Sequence, residues 1–270
     1  MKLMIISAIV AVAAMQSAHA DVIPLGQRSS RIGYSEGKSS TVFTGDGTEL
    51  DYKVIGLDKR DSRNGSLSES FGIGHKSQID LGLIYTHVDA GVAGTVGGVA
   101  EVSGRLLYNA YANENFDVNV GFGVRAAGDN QGGAAFTSLN DGLTKYDYNL
   151  DLGYMFPMFK LGLNSRFTDR NSSVSKSQTL FELYGTLFPS SDVYVNLSYL
   201  AFNTSGGTDV LATGFAFNTV KEKYNAINVA VGYSYNPMMG IDVHYGKKLA
   251  SNAANTDGNT TYGLGLTCNY

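Results

Sequence analysis

The chain has no tryptophan, one cysteine and four prolines in 270 residues. A single thiol excludes an intramolecular disulfide. Neither Cys268 nor the four histidines fall at metal-ligand spacings, so no metal and no cofactor is expected. From residue 21 onward no apolar run reaches 18 residues, which excludes a membrane-spanning helix in that region. There is also no basic patch. Without Lys2 the balance is 19 basic residues against 24 acidic, a net of −5, which argues against a nucleic-acid partner.

The chain instead carries 33 glycines, 17 tyrosines and 13 phenylalanines. Its start reads as a secretory leader: Lys2, an apolar core from Leu3 to Met15, then Ala18-His19-Ala20 as a small-x-small cleavage site. The domain expectation is therefore a signal peptide over 1–20 and a barrel over 21–270. Within the barrel, 21–30 is read as a periplasmic segment or partial plug. No cysteine follows the cleavage site, which argues against a lipid anchor.

Alternation is the strongest pattern. Tyr146, Tyr148, Leu150, Leu152 and Tyr154 are interleaved with Asp147, Asn149, Asp151 and Gly153, and Tyr262 to Tyr270 repeats the scheme. Strand side chains point to opposite faces in turn, so each segment has one oily and one polar face. After a secretion signal, this pattern predicts an all-β fold, a transmembrane antiparallel up-and-down barrel.

Twelve strands are expected, near 28–40, 58–74, 78–89, 98–110, 115–126, 145–155, 158–169, 177–188, 192–203, 223–235, 240–248 and 260–270. Short connections, three of them holding Pro157, Pro189 and Pro237, alternate with long polar ones. The long ones lie near 41–62, 90–97, 127–144, 170–176, 204–222 and 249–259. Alternation is blurred in the first two strands, and Leu50 to Leu57 reads as a separate short strand or an extension above the membrane. Tyr146/Tyr154, Phe159/Phe167 and Tyr262/Tyr270 are each eight residues apart on one face. Eight residues at ~3.3 Å, tilted ~40°, rise roughly 20 Å, close to the spacing of two aromatic girdles. Cys268 shares the lipid-facing parity. Five sequons, at Asn64, Asn171, Asn196, Asn203 and Asn259, read as ordinary polar residues.

The terminal Tyr270 looks like the signal read by the bacterial barrel-insertion machinery, which places the chain in the outer membrane of a Gram-negative cell. Phe71-Gly72-Ile73-Gly74 with Ile79 to Leu83, Gly98 to Val102 through Leu107-Tyr108, Arg125 to Asp129, and Asn140-Asp141-Gly142 carry a further likeness. They resemble segments of the outer-membrane family labelled "transporter" or "meta-pathway of phenol degradation" protein. Ala100-Glu101 replaces that family's Gly-Asp, and its proline before Gly128 is missing. The resemblance implies a porin-like barrel that passes small, often hydrophobic molecules. It implies no catalytic residues.

The inward face is expected to include Asp80, Glu101, Arg105, Arg125, Asp147, Asp151, Lys160, Arg166, Glu182 and Asp242. These are candidate pore-lining residues of a hydrated conduit with a weak preference for cations. The alternative is that they pair across the lumen and plug it, and twelve strands leave both outcomes open. Glycines 121, 123, 153, 162, 232, 246, 263 and 265 are read either as reducing inward bulk or as relieving crowding at bends. The functional expectation is a monomeric channel or uptake protein for small solutes, embedded in a lipid bilayer. Two other classes are weighed. A lipid hydrolase would need a base from His75, His87 or His244 with a nucleophile such as Ser173 or Ser175, but no spacing joins them, so no enzyme is expected. A structural or adhesive barrel would work through loops 127–144 and 204–222. Gly128-Asp129-Asn130 and Gly45-Asp46-Gly47 read as turns rather than calcium loops.

Overall fold

The computed structural model describes residues 22–128, 139, 142–170, 177–212 and 220–270. The expected leader over 1–20, Asp129 and Asn130, and Ser173 and Ser175 lie outside the described residues.

In chain order the strands begin with β1 (Arg28–Ser39), β2 (Thr41–Phe43), β3 (Glu49–Asp51), β4 (Arg60–Gly72) and β5 (Ser77–Asp89). Next come β6 (Thr95–Ala112), β7 (Phe116–Ala127), β8 (Lys145–Met155), β9 (Phe159–Arg170) and β10 (Ser177–Leu187). The chain closes with β11 (Val193–Ser205), β12 (Lys223–Asn236), β13 (Met239–Ala254), β14 (Thr256–Asp257) and β15 (Thr260–Asn269). Twelve of these form one closed antiparallel barrel in which each strand pairs with its sequence neighbours among the twelve. β1 seals the ring against β15, from Ser29 opposite Asn269 to Lys38 opposite Thr260. No helix is long and apolar enough to cross a membrane among the described residues.

Alternation decides the faces. Tyr148 is opposite Phe122 and Phe167, so the three rings share the outer surface, with centroids 5.5 and 6.2 Å from Tyr148. Leu183, Leu197, Leu264 and Tyr245 are exposed on the same outer side. A continuous oily exterior around a closed sheet is what a bilayer requires, because closure satisfies every ladder group and leaves no edge. The start of β1 at Arg28, Tyr270 and the tight turns lie at one end, here the terminal end, and the strand ends joined by the long connections at the other, the loop end.

β13 runs on to Ala254, beyond the expected end near 248. At the loop end its register against β12 shifts between Lys223 and Asn225, and Asn252 within it and Asn255 just after it are left-handed (φ 66° and 53°). The expected loop 41–62 is ordered too. β14, β2 and β3 form a three-stranded sheet, so Leu50 belongs to a short separate strand. A 3₁₀ turn at Tyr52–Ile55 follows, begun by the Asp51 carboxylate accepting from Lys53 N–H at 2.8 Å and ended by Gly56 at φ 79°. Val42, Tyr52, Leu57 and Val210 pack together beneath this sheet and make an apolar cap. Gly45-Asp46-Gly47 is a turn as expected: Gly47 N–H donates to Thr44 O at 3.0 Å, and Asp46 accepts from Thr48 N–H at 3.0 Å.

Candidate functional site: the barrel lumen

The inner face begins at the terminal end. Val22, Ile23 and Pro24 lie against it, and Ile23 N–H donates to Gln78 Oε1 at 2.7 Å. Gly72 permits this approach, because a Cβ there would meet the Pro24 carbonyl at 2.0 Å. From this mouth a cavity of about 490 Å³ rises into the loop-side half of the barrel.

All ten of the expected inward side chains are on the inner face, and seven line the cavity: Asp80, Glu101, Arg105, Arg125, Asp147, Asp151 and Arg166. Most are engaged. Arg105 pairs with Asp80 at 2.7 Å. Arg125 spans Asp147 at 2.5 Å and Glu101 at 3.5 Å, while Thr168 donates its hydroxyl to Asp147 at 2.6 Å. Asp151 accepts from Asn164 at 3.1 Å and from the Tyr184 hydroxyl at 3.2 Å. The remaining three stand apart from the cavity. Lys160 pairs with Asp117 at 3.0 Å and Asp242 with Arg31 at 2.7 Å, and Glu182 is buried with Oε1 lacking a protein partner.

Three sequence expectations need correction. First, the inner charge is not biased toward acids. Arg31, Arg60, Lys145, Arg170 and Lys248 also face inward, with Asp117, Glu222 and Asp257, and these bring the two signs level among the described residues. The parity that found Asp147 and Asp242 would also have found Lys145, Asp117 and Lys248; Glu222 and Asp257, outside the expected strands, gave no such signal.

Second, the inner face is not polar throughout. Leu180, Leu200, Phe202, Tyr224 and Ala226 form an apolar cluster inside the barrel on β10 to β12, with the Phe202 and Tyr224 rings stacked at 5.1 Å.

Third, several of the glycines neither open space nor mark bends. The Tyr184 ring covers Gly162, the Tyr194 ring covers Gly232, and His244 lies over Gly263, each side chain within 2.5 Å of where a Cβ would sit.

Buried polar contacts lie beneath the cap at the loop end. The Tyr52 hydroxyl donates to Asp257, which also meets Arg60 at 3.5 Å, and all three side chains are fully buried. Burial first, and then the Asp257 charge, push the Tyr52 phenol well above its ordinary range. Beside them Lys248 donates to Thr256 at 2.6 Å and pairs with Glu222 at 3.5 Å.

His75 is exposed in a turn, His87 is on the outer face, and His244 faces inward with neither ring nitrogen bonded to protein. The structure brings no two of them together. Among the described residues no group of three or more His, Cys, Asp or Glu could hold a metal ion.

An oily exterior, a charged interior and a closed ring of twelve strands define a transmembrane β-barrel of the outer-membrane type. No family model matches the sequence, and no curated protein matches it. Solved structures share the fold. The COG4313 outer membrane channel from Pseudomonas putida F1 superposes with a TM-score of 0.73 at 13% identity, over 93% of this chain and 98% of that one. The NanC porin gives 0.55 at 11% identity, over 89% and 98%. The translocator domain of the autotransporter NalP from Neisseria meningitidis gives 0.50 at 9%, over 97% and 94%.

Proposed function

We propose that this chain is a gated outer-membrane channel that passes small solutes through its lumen. One observation carries the reading: a cavity walled by charged, amide and apolar side chains extends from the terminal mouth into the loop-side half of the barrel. Similarity in fold to an outer membrane channel and a porin supports it. The segment resemblances at 71–83, 98–108 and 125–129 favour distant kinship with the phenol-degradation transporter family. In this reading the terminal end faces the periplasm, with Val22 to Pro24 as a partial plug. The cap of β2, β3 and β14 is then the external gate, and Tyr270 is what the insertion machinery recognises. The barrel acts as a monomer and not as a hydrolase.

Reconstitution of the chain from Asp21 onward in planar bilayers tests it. Discrete conductance steps are expected, with selectivity moved toward cations by Arg125→Glu. Silent bilayers, both for the native chain and for a variant with the cap destabilised at Asp257, would overturn it. The buried Arg60–Asp257 and Lys248–Glu222 pairs favour one second reading, a permanently plugged structural or adhesive barrel. The silent result belongs to that reading.

A further inference from the structure

Arg166 differs from the other charged groups in the body of the cavity; Arg28, at the mouth, lies over the Phe71 ring. Its guanidinium faces the cavity, yet among the described residues it makes no ion pair or hydrogen bond, and its Nε is buried without a protein partner. The carboxylates around it are committed elsewhere, Asp147 to Arg125 and Thr168, and Glu101 to Arg125 and Lys145. Glu182, on the next strand, makes no ion pair with it. Asp147 and Glu101 attract Arg166 from a distance but are shared with Arg125 and Lys145, so the half-buried guanidinium is only partly compensated and an anion that enters the cavity completes it.

We infer that the head of the cavity recognises a small monocarboxylate with an apolar body, gripped by Arg166. The planar fork of a guanidinium matches the two oxygens of a carboxylate. Register places Asn149 on one side of Arg166 and Leu180 on the other, so a polar and an apolar neighbour flank the same cation. Inward-facing Ile84, Leu107 and Leu180 supply apolar wall. One unpaired cation balances one negative charge, which favours a monoanion over a phosphate dianion. A cavity of about 490 Å³ admits a compact organic acid. This names the solute class of the proposed channel and so rests on that reading, but binding and conductance are measured separately.

The test is calorimetric titration of the whole barrel in detergent micelles with benzoate and with its neutral, shape-matched counterpart benzamide. Benzoate is expected to bind at least tenfold more tightly. Arg166→Gln should erase the difference, Arg166→Lys should keep part of it, and Arg63→Gln on the outer wall should leave it intact. Heat-modifiable gel migration checks that each variant is a folded barrel. Equal binding of the two probes, binding of neither, or a preference that survives Arg166→Gln overturns the inference. Conductance without a benzoate preference sinks this site and leaves the channel standing. Preference without conductance supports this site and removes the channel.

Discussion

The ring of Tyr184 occupies the space that a side chain on Gly162 would need: a Cβ built there falls 2.1 Å from the ring, and Tyr184 is only 1% exposed. The two residues sit opposite each other on β10 and β9, so the ring lies flat across its neighbour and delivers its hydroxyl to Asp151. Gly162→Ala should therefore displace the ring and destabilise the barrel by about 1–3 kcal/mol, as overpacking does. The shift in guanidinium midpoint measures it. A variant carrying Tyr184→Phe without the glycine change should lose less, because only the hydrogen bond goes.

Breaking one partner of the Arg125–Asp147 pair leaves a buried charge. Asp147→Ala should cost about 3–5 kcal/mol, whereas replacing both residues with apolar ones of similar volume should cost far less. Chemical unfolding of the two variants separates a pair that stabilises from a pair that is merely tolerated.

The inner apolar cluster makes a directional prediction. Phe202→Ala opens a hole in packed surroundings and should cost about 3–5 kcal/mol. Phe181→Ala, on the outer face at 52% exposure, should cost markedly less because lipid chains fill the gap. Equal losses would contradict the assignment of faces on β10 and β11.

The cap should respond to alkali through Tyr52. Its folded pKa is raised, so the folded state keeps the phenol proton above the pH at which the unfolded chain loses it. That contribution is full below the ordinary phenol value of 10.0 and is lost as pH rises above it. Protease accessibility of residues 41–58 should climb in that window. In Tyr52→Phe the climb should flatten, at the cost of about 1–3 kcal/mol from leaving Asp257 short of a donor.

Legibility followed the physics of local pattern. β8 was readable to the residue because Tyr146 to Tyr154 alternate with nothing in conflict. β1 and β4 were blurred because their outer faces carry Glu36 and Arg63, paired at 3.5 Å, and Glu69, hydrogen-bonded to Ser30 at 2.5 Å. β10 holds apolar residues at both parities, Leu180 and Tyr184 inside, Phe181 and Leu183 outside, so residue type alone could not reveal an oily patch in the lumen. The cap joins Val42 to Asp257 across most of the chain, and nothing local announces such a pairing. For the same reason parity could place Arg166 inside but could not show that its neighbours already had partners.

The central claim is that oily side chains meet lipid while charged ones line a wet interior. Site-directed spin labelling measures this directly, in a Cys268→Ser background with single cysteines at Leu152, Leu264, Asn164 or Ser198. Labels at Leu152 and Leu264 should collide with membrane-dissolved oxygen and be shielded from a water-soluble nickel chelate, with the opposite at Asn164 and Ser198. Chelate access at Leu152 and Leu264, with Asn164 and Ser198 seeing oxygen alone, would contradict the account.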